Sequence, residues 1–218
     1  MYKLAEFGNK KMEFDLTKLT PDIRHLNDVR EVLADKDFAK NSADMDLYFM
    51  YRGLEKKGEL RYDITIVSAK MLGNEFNKTK GHYHVGAYPE IYTVLKGTAI
   101  YLLQKKNVDG QIEDVYAVQV KAGECSIMPP FYGHVTINPS ETEDLEMANW
   151  VSENCKSDYS LFEKLHGASY YYVKRPASAQ GFGVGTWIKN ENYKNAPELR
   201  FEQPLKSLPE NLEFLNKG

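Results

Sequence analysis

Sulfur chemistry has little to work with here: the 218 residues hold two cysteines, Cys125 and Cys155. They form neither a CxxC pair nor a zinc spacing, which excludes a disulfide framework and a thiolate-rich metal site. Cys125, followed by Ser126-Ile127-Met128 in a strand-like run, reads as a small core residue. Long apolar runs are also missing. None approaches 18 residues, so nothing in the sequence reads as a membrane span. The opening MYKLAEFGNKK lacks the apolar stretch of a secretory signal, and the expectation is a cytoplasmic protein. Neither charge sign dominates: 28 Lys and Arg against 31 Asp and Glu give a net charge of -3. A nucleic-acid binder generally shows a basic face, so neither nucleic acid nor membrane is an expected partner. A small anion held by local basic groups or backbone donors stays open. Histidine is sparse too, with five residues: His25, His82, His84, His134 and His166.

What is present alternates. Residues 45–52, 60–69, 79–84, 90–95, 98–104, 115–121, 124–128, 134–138 and 145–151 are short runs rich in β-branched and aromatic types. Turn chemistry separates them: Lys96-Gly97, Asp109-Gly110, Ala122-Gly123, Pro129-Pro130 and Asn138-Pro139. No helical pattern lies between them, which argues against βαβ units and for an all-β sandwich or barrel. Short helices are expected at 21–24, 28–40 and 158–166, the last with Asp158 as N-cap and Gly167 just past its end. A further strand is expected at 168–173. The chain divides into an N-terminal extension at 1–44 packing on the barrel, the barrel at 45–173, and a C-terminal extension at 174–218 that wraps it or meets a second subunit. The stretch Gly181-x-Gly183-x-Gly185 follows no clear strand and opens no clear helix, so it reads as a loop rather than a phosphate cradle.

Two of the five histidines form His82-Tyr83-His84. Residues i and i+2 of a strand share a face, so both imidazoles can converge on one point. The turn after His84 leads to Glu90, at the start of the next strand candidate. His134 follows the turn Pro129-Pro130-Phe131-Tyr132-Gly133 and can bring a third imidazole from another strand. Three imidazoles and one carboxylate suit a first-row divalent ion, such as Fe, Mn, Ni, Co or Zn, with positions left for water or substrate. His25 and His166 fall outside this pattern.

Two blocks hold these ligands: Gly81-His82-x-His84-x5-Glu90-x6-Gly97 and Gly123-x5-Pro129-x4-His134-x3-Asn138. They resemble the paired motifs of the cupin superfamily, which implies an all-β jelly-roll barrel (a double-stranded β-helix) with short peripheral helices. Thr79-Lys80-Gly81-His82-Tyr83-His84 further resembles the signature of cupin-type glucose-6-phosphate isomerases. So do Glu90-Ile91-Tyr92, the Lys96-Gly97 turn and Pro129-Pro130-x-x-x-His134. The resemblance implies that His82, His84, Glu90 and His134 ligate one divalent ion, iron first among the candidates. It also implies that Thr65, Thr79, Gly81 and Tyr159 hold a sugar phosphate. Tyr48, Tyr92 and Tyr132 are candidates for a sugar-facing wall, since a phenol offers an apolar ring and a polar tip. Glu90 is the candidate base for moving a proton between C1 and C2. A homodimer is the expected assembly. The chain departs from the family pattern at Ser157, Val151 and Phe131, and by a loop one residue shorter between His84 and Glu90. Two other readings of the same ligand set stay open: a non-haem metal oxygenase and a non-enzymatic sugar-phosphate-binding cupin.

Overall fold

A computed structural model describes residues 2–7, 10–176 and 184–216. Gly181 and Gly183 therefore lie outside the described residues. The strands, in chain order, open with a separate hairpin, β1 (Tyr2–Phe7) and β2 (Lys10–Asp15). Next come β3 (Asp22–His25), β4 (Asp46–Lys57), β5 (Leu60–Val67), β6 (Met71–Leu72), β7 (Glu75–Phe76) and β8 (Tyr83–Val85). They are followed by β9 (Glu90–Lys96), β10 (Thr98–Lys106), β11 (Ile112–Lys121), β12 (Cys125–Met128), β13 (Tyr132–Ile137) and β14 (Leu145–Ser152). The last are β15 (Lys156–Asp158), β16 (Tyr170–Lys174), β17 (Gly185–Lys189) and β18 (Arg200–Glu202). Two α-helices are present among the described residues, α1 (Lys36–Asn41) and α2 (Ser160–Lys164), both peripheral.

The strands build the expected jelly-roll barrel. A six-stranded sheet runs in the order β12-β9-β14-β5-β4-β3, and a four-stranded sheet in the order β13-β10-β11-β18. Isolated bridges Lys78↔Ile137 and His82↔His134 tie the segment before β8 to β13. Strand alternation then sorts the six-stranded sheet into two faces. Tyr48 and Met50 of β4, Thr65 and Val67 of β5, Tyr92 and Val94 of β9, and Met147 of β14 face the barrel interior. Tyr62 and Ile64 of β5, Ile91 of β9, and Ala148 and Trp150 of β14 face outward into a second apolar cluster.

That outer cluster is covered by both ends of the chain: Leu16 from the N-terminal side, Leu212 and Leu215 from the tail. The tail adds β18 parallel to β11 and pairs Leu205 with Cys125. Cys125 is a fully buried free thiol, as its apolar neighbours suggested.

Two expectations for the N-terminal segment fail. Residues 22–25 form edge strand β3 against β4, with Arg24 opposite Tyr48, instead of a helix. Residues 28–40 break into short 3-10 turns and then α1, capped by the Asp35 side chain on the Phe38 N–H at 2.8 Å. The exposed edge of β4 takes residues 22–25 into its ladder, and the chain then buries Leu26, Val29, Val32 and Leu33 in the core before the Asp35 cap starts α1. The expected strand at 79–84 survives only as β8. Gly81 sits at φ +82°, outside the strand region, and interrupts it.

Candidate metal and substrate site

The interior-facing residues surround one open cavity. The bridge around His82 holds its backbone N–H 3.2 Å from the His134 carbonyl, and the return bond from the His134 N–H to the His82 carbonyl is 3.0 Å. Two neighbouring segments therefore present their imidazoles side by side, with ring centroids 4.5 Å apart. His84 completes the group, 5.2 Å from His82 and 5.3 Å from His134 between centroids. One ligand nitrogen from each of the three rings lies within 4.8 Å of the others. Glu90 opens β9, pairs with Met128 and Val151 on either side, and points its carboxylate into the same group. Its Oε2 is 3.4 Å from Nε2 of both His84 and His134. The four side chains expected from the sequence thus meet around one point.

Polar partners fix how each group faces that point. Nδ1 of His84 lies 2.7 Å from the Tyr88 carbonyl, which places a ring proton on Nδ1 and turns Nε2 toward the shared point. Asn149 donates its Nδ2–H to Oε1 of Glu90 at 2.6 Å, orienting the carboxylate. Nε2 of His134, the nitrogen that faces this group, is buried with no hydrogen-bond partner. A buried polar atom left bare costs free energy, and such atoms are normally satisfied. A cation at the centre of this group would satisfy it. The donor set of three imidazoles and a carboxylate is the kind that holds first-row divalent ions.

Electrostatics supports neutral ligand nitrogens at two positions. Burial, reinforced by His84, Arg52 and Arg24, holds the His82 pKa down to about 3. Burial and the same crowding of rings keep His134 well below the usual histidine range. At His84, burial again opposes protonation, but the Cys155 thiol and the Glu90 carboxylate outweigh it and push the pKa up to about 10.

Further out, Thr65, Thr79, Gly81, Tyr48, Tyr92 and Tyr159 all line the cavity. Thr79 Oγ1 accepts the Thr136 N–H at 3.0 Å, so its hydroxyl proton is available to an anion. The Tyr48 hydroxyl accepts the Lys80 N–H at 3.2 Å, and the Tyr159 ring packs 5.6 Å from His82. Tyr132 is the exception among the expected wall residues. Its hydroxyl donates to Asp114 at 2.7 Å and its ring packs edge-on against Tyr116, away from the cavity. The turn before it explains this: Phe131 takes φ 69°, which reverses the chain before Gly133 and His134 turn inward.

Several cavity residues carry no motif and were missed in the sequence: Arg24, Arg52, Arg61, Asp63 and Asn149. Alternation would have found three of them. Counting by twos from Thr65 gives Asp63 and Arg61, and from Tyr48 it gives Met50 and Arg52. Arg24 left no such signal, because its segment reads as helical. Lys80 also lines the cavity but sends its ammonium to Glu31 at 2.9 Å and Glu163 at 2.7 Å.

The family model for glucose-6-phosphate isomerase (GPI) matches residues 23–192, most of the chain. The chain belongs to the glucose-6-phosphate isomerase family. It is therefore an enzyme of the aldose–ketose isomerase class, and the family implies a sugar phosphate as substrate. The glucose-6-phosphate isomerase of Thermococcus litoralis is 29% identical over 160 residues, covering 69% of this chain and 82% of the relative. That of Pyrococcus furiosus is 29% identical over 147 residues, covering 63% and 74%. Among solved structures, the chain is similar to a cupin 2 conserved barrel domain protein from Leptotrichia buccalis. That pair shows 21% identity and a TM-score of 0.33, covering 49% of this chain and 41% of the other. It is also similar to oxalate oxidase in complex with a substrate analogue, at 15% identity and a TM-score of 0.41, covering 73% and 77%. Those scores are too low to bear on the site. No helix among the described residues is long and apolar enough to cross a membrane.

Proposed function

We propose that this chain interconverts glucose 6-phosphate and fructose 6-phosphate at one divalent metal ion held by His82, His84, Glu90 and His134. One observation carries the metal: the buried Nε2 of His134 has no hydrogen-bond partner and faces the same Glu90 oxygen, 3.4 Å away, that faces Nε2 of His84. A divalent cation there, iron first and Mn, Ni, Zn or Co as alternatives, supplies Lewis acidity for the O1 and O2 oxygens of the open-chain sugar. The chain's own groups do the rest. Glu90, oriented by Asn149, takes the C2 proton and returns it to C1. Thr65, Thr79, the Gly81 backbone and Tyr159 offer donors to the phosphate, and Tyr48 and Tyr92 give the carbon skeleton a part-apolar wall. Burial of the Glu90 edge keeps bulk water from competing for the proton. The assembly that goes with this reading is a homodimer, tested by sedimentation equilibrium.

The deciding experiment is a coupled assay with fructose 6-phosphate on purified protein, before and after chelation, with each divalent ion restored in turn. Turnover lost on chelation and regained with one ion is the expected result. Turnover unchanged by exhaustive chelation refutes the metal. His134→Ala should lose both metal and turnover.

A further inference from the structure

Four cationic side chains line the cavity: Arg24, Arg52, Arg61 and Lys80. Two are already neutralised. Lys80 bridges Glu31 and Glu163, as described above. Arg61 holds Asp63 with Nε 3.0 Å from Oδ2. The other carboxylates in reach are also committed. Asp63 takes the Gly53 N–H on its second oxygen at 2.7 Å, and Glu90 belongs to the histidine group. Asp28, the acid near Arg24, accepts the His25 N–H at 2.8 Å.

Arg24 and Arg52 are different. Nε of Arg24 is buried with no hydrogen-bond partner, while its guanidinium lies against Tyr48 and near Tyr159. Arg52 makes only a 3.4 Å contact with Asp22, whose side chain is 70% exposed, and a 3.2 Å contact with the Met50 sulfur. Arg52 reaches Asp22, which lies two residues before Arg24 on the same face of β3, so the two guanidinium groups line one end of the cavity. Their placement is built in. Arg24 is fixed by the register that sets it opposite Tyr48. Arg52 begins a bulge in β4, where the pairing jumps from Tyr51↔Ile64 to Glu55↔Tyr62. The Asp63 carboxylate on the Gly53 N–H pins that bulge, and bulges of this kind re-aim side chains beside sites. Two planar cations without a firm acidic partner, beside the Thr79–Gly81 segment, suit a phosphate dianion, which guanidinium binds by paired hydrogen bonds.

We propose that Arg24 and Arg52 form a two-guanidinium clamp that takes the substrate's phosphate dianion and makes the cavity select phosphorylated over neutral sugars. This rests on the isomerase reading and adds the charge that hydroxyls and a backbone N–H lack. The clamp works on binding, not on the proton transfer at C1 and C2, so its loss raises KM and leaves kcat near that of the parent.

The test uses the metal-loaded protein, with Arg52→Ala, Arg52→Lys, Arg24→Met and Arg24→Lys. KM and kcat are measured with fructose 6-phosphate, and the affinity for inorganic phosphate is measured by calorimetry. Arg52→Ala and Arg24→Met should each weaken both KM and phosphate affinity in parallel by about tenfold or more, with kcat changed by less than about threefold. Lysine at either position should recover part of the loss. Both constants staying within about twofold of the parent in Arg52→Ala, with melting unchanged, overturns the clamp. Should Arg24→Met melt early, Arg24→Lys and the Arg52 pair decide. The calorimetry separates the two readings. A parent that turns over no sugar phosphate but binds phosphate through Arg52 removes the isomerase and keeps the clamp. A parent that turns over the sugar and keeps its phosphate affinity in Arg52→Ala removes the clamp alone.

Discussion

Replacing Gly81 by alanine tests how the fold aims its histidines. Gly81 adopts φ +82°, where an L-residue costs about 1–2 kcal/mol. A Cβ there would meet Val135 Cγ2 at 2.6 Å and Phe162 Cε1 at 2.8 Å. Neither neighbour can withdraw, since Phe162 is fully buried and Val135 nearly so, and overpacking of this kind costs about 1–3 kcal/mol. The sum is about 2–5 kcal/mol. For a chain of this length each kcal/mol moves Tm by roughly 2–4 °C, so Gly81→Ala should melt roughly 4–20 °C below the parent. The relief open to the backbone is to push the Gly81–His82 segment off β13, which breaks the paired His82–His134 bonds. Metal affinity should fall together with Tm. Differential scanning calorimetry of metal-free protein measures the first effect, and a competitive chelator titration measures the second. A Tm within about 1 °C of the parent, with undiminished metal affinity, refutes the reasoning.

Other outcomes follow from the same geometry. Asn149→Leu removes the donor on Glu90 Oε1 and should weaken the metal about 10- to 100-fold with little change in fold, read by the same titration. Tyr132→Phe should leave KM and kcat as they are and cost about 1 kcal/mol in urea unfolding, because its hydroxyl serves Asp114 rather than the sugar. Lys78→Met strands the Glu75 carboxylate, 1% exposed at the side chain, 2.5 Å from where the ammonium sat, and should destabilise by about 3–5 kcal/mol. In deuterated solvent, deuterium should enter C1 of the product if Glu90 shuttles the proton; its complete absence at every conversion would replace that route with a direct hydride shift.

The barrel strands and the metal group were legible because both rest on local rules. Alternation with turn residues marks β5, β9, β10, β11 and β14, and the i, i+2 spacing of His82 and His84 holds wherever that segment is extended. The convergence of His134 and Glu90 on the same point was reachable only through the family motif, since nothing local relates residues 44 positions apart.

The N-terminal segment shows the limit of such rules. Residues 21–24 have the composition of a helix turn, yet they pair with β4 because that sheet edge offers ladder hydrogen bonds that a lone short helix cannot match. Which way Tyr132 faces was equally hidden, as it depends on the left-handed turn at Phe131 and on Asp114 from a neighbouring strand. The sequence by itself determined an alternating all-β chain and the chemical types of a metal site. Only the tertiary structure decided that Arg24 and Arg52 share one end of the cavity and that Asn149 orients Glu90. Those are contacts between strands distant in sequence, set by sheet order and register rather than by any residue's own preference.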